Sequence, residues 1–300
     1  MHMRPLGKTG LRVSEVGMGC NRLAEAQAPE SHWINLVREA VDLGVTIFDA
    51  AEAYQQGGSE DILGKALGND SGVCIASKVG GSSGKDFSKA RVKEACEASL
   101  KRLRRDRIDL YQLHSPSRDD MQHYDWASGL RELQEEGKIG VRAVAVNSAA
   151  DGVWLIEQDL VEALQITYNL LDTSAAEALL PLAEAQGVAL LCRLPLAQGI
   201  LSGKFTPGQE VADDHRAARA GKSMQERIAR AETLKPLGAQ YEGGLTRLAH
   251  HFSLGARAVS CTIPGARTRA QLRENVASSN GGALSAEWRA RIAQVQTTWD

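Results

Sequence analysis

Eight short runs rich in β-branched and other apolar residues recur along this chain, at 16–20, 45–49, 73–78, 108–114, 141–146, 163–169, 188–194 and 258–264. Longer segments with helical spacing of their apolar residues lie between them. Trp33, Leu36, Val37, Ala40 and Val41 fall on one stripe, and Val92, Ala95, Cys96, Ser99 and Leu103 on another. Further amphipathic stretches cover 126–136, 152–158, 175–186, 224–252, 268–278 and 286–296. Ser31 is placed to cap the first helix and Gly44 to close it, and Gly137 closes another before the fifth run. When each strand is followed by a helix that returns the chain to its starting edge, the strands pair in parallel.

A parallel sheet of eight such units closes into a barrel in about 250 residues. The 300 residues here leave room for two additions, an N-terminal hairpin at 4–13 turning at 7–10 and a polar loop at 197–222. An open doubly wound sheet would carry Gly-x-Gly-x-x-Gly after its first strand, and the segment from Gly17 and Gly19 reaches Arg22 where the third glycine belongs. The glycine-rich stretch ending in Gly84-Lys85 continues with Asp86, not the Ser or Thr of a phosphate loop. The predicted fold is therefore α/β, a (β/α)8 TIM barrel with an N-terminal hairpin and a long loop after strand 7, forming one domain over residues 1–300.

A formal net charge of −2 gives no electrostatic reason to expect nucleic acid or an anionic membrane as partner. Cys20, Cys74, Cys96, Cys192 and Cys261 stand far apart, with no Cys-x-x-Cys pair, which suits reduced thiols in a core better than disulfides or a metal site. The N-terminus lacks the apolar segment of a signal peptide, and no apolar run reaches membrane-spanning length. A cytoplasmic enzyme without a metal is expected.

In a barrel of this kind, chemistry belongs at the C-terminal ends of the strands. The second run ends in Asp49, the third in Lys78 and the fourth in His114, with Tyr54 in the loop after the second. Each alone reads as ordinary: a capping Asp, a solvated Lys, a half-buried His or Tyr. On adjacent strands they aim four ionisable groups at one mouth. A free tyrosine, with a pKa of about 10, exchanges protons poorly at neutral pH, and a nearby ammonium lowers that pKa. Asp49 would keep Lys78 placed and charged. His114 would donate a hydrogen bond where alkoxide charge develops on a substrate oxygen. No side chain supplies hydride, so the matching reaction calls for a nicotinamide.

These residues and their surroundings resemble the aldo-keto reductase superfamily, whose Asp, Tyr, Lys and His tetrad stands in this order on these strands. The likeness covers nearly the whole chain. Residues 4–14 are similar to the family's opening hairpin, 48–54 with 57–60 to its second-strand signature, and 77–78 and 109–116 to its Lys and His segments. The resemblance implies a bacterial general reductase or aldose-type dehydrogenase, acting on aldehydes or ketones or, in reverse, on alcohols. It implies Tyr54 as general acid, with Asp49, Lys78 and His114 completing the catalytic set. Gln165 matches the residue that meets the nicotinamide carboxamide. Pro195, Leu196, Gln198, Gly199, Leu201 and Lys204 match the loop that folds over the pyrophosphate. Gly265 lies in the adenosine-end motif, where Arg267 and Gln271 would face the ribose 2′-phosphate, and Glu274 and Asn275 the adenine. A guanidinium at 267 favours NADP(H), with NAD(H) as second choice.

Two positions depart from the pattern. The family's Gly-Val-Ser at the end of the fifth strand is Ala143-Val144-Ala145 here, without the hydroxyl. Arg193 stands where many members place an aromatic ring against the nicotinamide; a guanidinium plane also stacks. The alternative function is an NADPH-binding sensor or partner subunit, which need not retain the complete tetrad. A Schiff-base role for Lys78 wants a lowered pKa, which Asp49 opposes. Substrate walls would come from loops 21–29, 80–87, 115–124 and 206–222, with Asn21, Arg22, Tyr124 and Trp126 as candidate border residues.

Overall fold

The computed structural model describes residues 1–81, 86–209, 224–279, 281 and 284–299. Two short strands, β1 (Met3–Pro5) and β2 (Arg12–Ser14), form the expected antiparallel hairpin. Strands β3 (Met18–Gly19), β4 (Ile47–Asp49), β5 (Cys74–Val79), β6 (Ile108–His114), β7 (Ile139–Ala145), β8 (Ala163–Thr167), β9 (Ala189–Arg193) and β10 (Val259–Ile263) then pair in chain order, all parallel. Parallel bridges from Val16 to Thr262 and from Gly19 to Gly265 bring the last strand against the first and close the barrel. The helices around it are α1 (Glu30–Asp42), α2 (Gly58–Leu67), α3 (Lys89–Leu103), α4 (Arg118–His123), α5 (Trp126–Glu135), α6 (Ala149–Glu157), α7 (Leu179–Gln186), α8 (Met224–Gln240), α9 (Gly244–Leu254), α10 (Arg269–Val276) and α11 (Ala286–Gln296). Among the described residues no helix is long and apolar enough to cross a membrane.

Side chains alternate along each strand between the barrel's interior and its helical jacket. The interior is filled by Ala76, Ala143, Ala163 and Ala189 together with Ile47, Leu110, Leu191 and Cys261. Leu6 and Val13 of the hairpin pack on the same cluster. The jacket side buries the stripes read from the sequence, Trp33, Leu36, Val37 and Ala40 on α1 and Val92, Ala95, Cys96 and Leu103 on α3.

Two local expectations are corrected. Ser31 does not cap α1: the helix begins at Glu30 after an extended Pro29, and no side chain makes the cap. The stretch 224–252 is two helices, α8 and α9, because Gly243 and Gly244 take positive φ of 85° and 75°, where the right-handed helix cannot continue. The loop predicted at 197–222 begins with a 3₁₀ turn, Ala197–Ser202, and its part from 210 onward lies outside the described residues.

Candidate functional site

Strand parity builds a polar layer on top of the apolar interior. Two residues beyond Ile47, Ala76, Leu110 and Ala163, on the same faces, stand Asp49, Lys78, Gln112 and Gln165, and His114 follows Gln112 by two more. Lys78 is completely buried. Its Nζ donates to Asp49 Oδ2 at 2.7 Å and to Ala50 O at 2.7 Å, and reaches Tyr54 Oη at 3.5 Å. An ammonium has three protons, and these three contacts account for them. Burial pushes the Lys78 pKa down, but the charge of Asp49 and the hydrogen bonds to Asp49 and Tyr54 outweigh it and hold the group above its ordinary value, so it remains a cation. Asp49 Oδ1 accepts from Gln165 Nε2 at 2.8 Å and from Gln112 Nε2 at 3.2 Å. The His114 ring stands edge-on to Tyr54, with centroids 5.5 Å apart.

Tyr54 opens a 3₁₀ turn in which Gln55 and Gln56 hold φ of 50° and 53°. Positive φ is strained for any residue but glycine. Among the described residues Ala24, Gln55, Gln56, Ser115, Leu194, Ala197 and Gln198 adopt it in loops after β3, β4, β6 and β9, at this one end of the barrel. The others with it, Arg104 and Asp159, sit at the ends of α3 and α6. Strain is thus gathered where strand ends re-aim side chains.

A cavity of about 310 Å³ opens over the polar layer. Asp49, Tyr54, His114, Gln165 and Arg193 line one part of it; Pro195, Leu196, Gln198, Gly199 and Lys204 another; Gly265, Arg267, Gln271, Glu274 and Asn275 a third. Two of the predicted site residues lie off its wall. Lys78 sits beneath, and Leu201 is turned into an apolar cluster with Leu170, Ile200 and Phe205. Asn21 and Arg22 border the cavity as expected. Trp126 and Tyr124 do not: Trp126 is buried with Nε1 donating to Met121 O at 2.9 Å, and Tyr124 packs edge-on to Phe87.

Two functional candidates were missed in the sequence. Gln112 carried a usable signal, its parity with His114. Glu25 bridges Arg22 and Arg267 and carried none, because Arg267 is far away in the chain.

Arg193 is locked in place. It donates to Val146 O at 2.8 Å, Asn147 Oδ1 at 2.9 Å, Ser115 Oγ at 3.2 Å and Thr167 Oγ1 at 3.3 Å, so its flat guanidinium is held across the ends of β6 to β9. Cys20 also lines the cavity, but burial and the Asp49 charge push its thiol far up, leaving it a small neutral group.

The lining suits a nicotinamide dinucleotide. Arg22, Arg193, Lys204 and Arg267 place cations along the wall, as a pyrophosphate requires. Gln198 Oε1 is buried without a hydrogen-bond partner among the described residues, and no hydrogen bond there engages Arg267 Nη1 or Nη2. Among the described residues no group of three His, Cys, Asp or Glu side chains is placed to hold a metal ion.

The chain matches the model of the aldo/keto reductase family over residues 15–297. It is 30% identical over 299 residues to the oxidoreductase YqkF of Bacillus subtilis (strain 168), covering 96% of this chain and 94% of that protein. It is also 30% identical to L-galactose dehydrogenase of Arabidopsis thaliana, covering 93% and 88%. Its fold is similar to that of the holo form of aldo-keto reductase AKR11C1 from Bacillus halodurans, with a TM-score of 0.84, 30% identity, and 98% and 96% of the two chains covered. The molecule is an NAD(P)H-dependent oxidoreductase built on a (β/α)8 barrel. It belongs to the aldo/keto reductase family.

Proposed function

We propose that this chain reduces small aldehydes or ketones with NADPH in preference to NADH, and oxidises the corresponding alcohols in reverse, with Tyr54 as the proton donor. One observation supports this above all: the wholly buried Lys78 ammonium touches both the Asp49 carboxylate and, at 3.5 Å, Tyr54 Oη, on the floor of a cavity whose far wall carries Arg267.

The bound reduced nicotinamide supplies hydride, which no side chain offers. The protein's part is the proton and the geometry. Tyr54 gives its proton to the carbonyl oxygen, and Lys78 stabilises the phenolate left behind. Asp49 keeps Lys78 charged, and Gln112 and Gln165 hold the second Asp49 oxygen so that the carboxylate cannot turn away. His114, beside Tyr54, donates a hydrogen bond to the same substrate oxygen as negative charge grows there. Gln165 spends its N–H groups on Asp49 and Gln112, which leaves Oε1 to accept from the nicotinamide amide. Arg267 meets the 2′-phosphate, the basis of the NADPH preference.

Tyr54→Phe tests the assignment. Reduction of a nitrobenzaldehyde should fall by about 10²–10⁴-fold in kcat, while fluorescence titration shows NADPH binding nearly unchanged. Retained turnover in the variant would remove Tyr54 as the acid. NADPH binding by the unaltered protein with no turnover across a panel of aldehydes, ketones and sugars would point instead to a nucleotide sensor.

A further inference from the structure

Glu25 lies in the loop between β3 and α1 and is 7% exposed. Its two oxygens go to two arginines of the cavity wall. Arg22 Nη1 donates to Oε1 at 2.5 Å, and Arg267 Nε donates to Oε2 at 3.1 Å. Arg267 follows β10, so this carboxylate ties the loop after the first barrel strand to the loop after the last. Both loops are pinned independently: Trp33 Nε1 donates to Glu25 O at 3.2 Å, and His32 Nε2 bonds Arg267 O at 2.9 Å. Burial pushes the Glu25 carboxyl up, but hydrogen bonds from Arg22 and Arg267 outweigh it and hold the group below its ordinary value. It is ionised at neutral pH.

We propose that Glu25 governs the choice between the two nicotinamide nucleotides, by placing a buried negative charge behind Arg267, and that the chain therefore accepts NADH alongside NADPH. This rests on Arg267 facing the 2′ position of the ribose, as proposed above. Two arginines alone would offer a 2′-phosphate two positive charges; with Glu25 between them the trio offers one. A phosphate monoester carries about −1.5 to −2 at neutral pH. To use the Nη atoms of Arg267 it must lie near a carboxylate that is largely shielded from solvent screening. A 2′-hydroxyl carries no charge and meets no such opposition. Glu25 thus reduces the gain from a phosphate and leaves that from a hydroxyl almost unchanged.

Calorimetry with adenosine 2′,5′-bisphosphate and with 5′-AMP reads this end of the site without turnover. Glu25→Gln preserves size and hydrogen bonding, and should tighten the bisphosphate about five- to ten-fold while 5′-AMP stays within about two-fold. The ratio of NADPH to NADH affinity should rise in parallel. Arg22→Gln leaves Glu25 wholly to Arg267 and should lower the same ratio, so the test survives if Glu25→Gln does not fold. A ratio that is unchanged or lower in Glu25→Gln overturns the proposal; a lower one would make Glu25 a strut for Arg267. Arg267→Ala separates the two levels. If it leaves the ratio unmoved, the 2′-phosphate does not sit at Arg267 and both assignments fail. If it lowers the ratio while Glu25→Gln does nothing, only the role of Glu25 fails.

Discussion

An ammonium taken out of water costs several kcal/mol unless it is paired and fully hydrogen-bonded. Lys78 meets that condition through Asp49, Ala50 O and Tyr54, and Asp49 in turn depends on Lys78, since its remaining partners are the neutral amides of Gln112 and Gln165. Lys78→Met should therefore destabilise the protein by about 3–5 kcal/mol in urea unfolding, chiefly through the carboxylate it strands. The double variant Asp49→Asn/Lys78→Met should recover most of that loss. If the double variant is no more stable than the single one, the unpaired carboxylate is not the cause. Asp49, Lys78 and His114 stood out in the sequence because each closes an apolar run. Gln112 did not, because it stands inside its run and not at the end, although it shares a face with His114 two residues on. Its neighbours across the barrel, not its position in the chain, make it part of the site.

Helices α2 and α3 show how closely elements must approach to hold that layer. A Cβ built on Gly64 of α2 would come 2.2 Å from Arg102 O and 2.9 Å from the Leu103 carbonyl carbon, both backbone atoms that cannot rotate aside. The same contact carries a polar chain inward: Arg102 Nε donates to Glu60 Oε2 at 2.6 Å, and Glu60 accepts from Ser77 Oγ, next to Lys78. Gly64→Ala should push the helices apart and lower stability by about 1–3 kcal/mol, read as a fall in Tm. A variant that melts like the parent would show that the helices have room to spare. Helical stripes were legible here because periodicity is local. The start of α1 and the break between α8 and α9 were not. Ser31 has the right side chain for a cap, but the backbone ahead of it already turns at Pro29, and the break depends on both Gly243 and Gly244 taking positive φ.

For the molecule as a whole, one buried titratable group reports on closure of the barrel. His250 of α9 shares a hydrogen bond of 3.0 Å with Thr262 Oγ1 on β10, and Thr262 N donates to Glu15 O beside β3. Burial, with the neighbouring His251 adding to it, lowers the His250 pKa to about 4. Between roughly pH 6.5 and pH 4 the unfolded chain then takes up a proton that the folded one refuses, so stability falls as pH falls through that window. The loss is on the order of 3 kcal/mol, with no contribution above the ordinary histidine pKa. His250→Gln should flatten this part of the profile, compared by urea unfolding at pH 7.5 and pH 4.5. An identical slope in parent and variant would assign the acid loss to other groups. The alternation of strand and helix, and the chemistry of the strand ends, were readable from the chain because side-chain parity acts over a few residues. The contacts that join the polar layer, and the Glu25 bridge between Arg22 and Arg267, were not. Gln165 meets Asp49 across 116 positions and Glu25 meets Arg267 across 242. Such pairs become neighbours only when β10 closes against β3, and no local pattern records which loops that closure brings together.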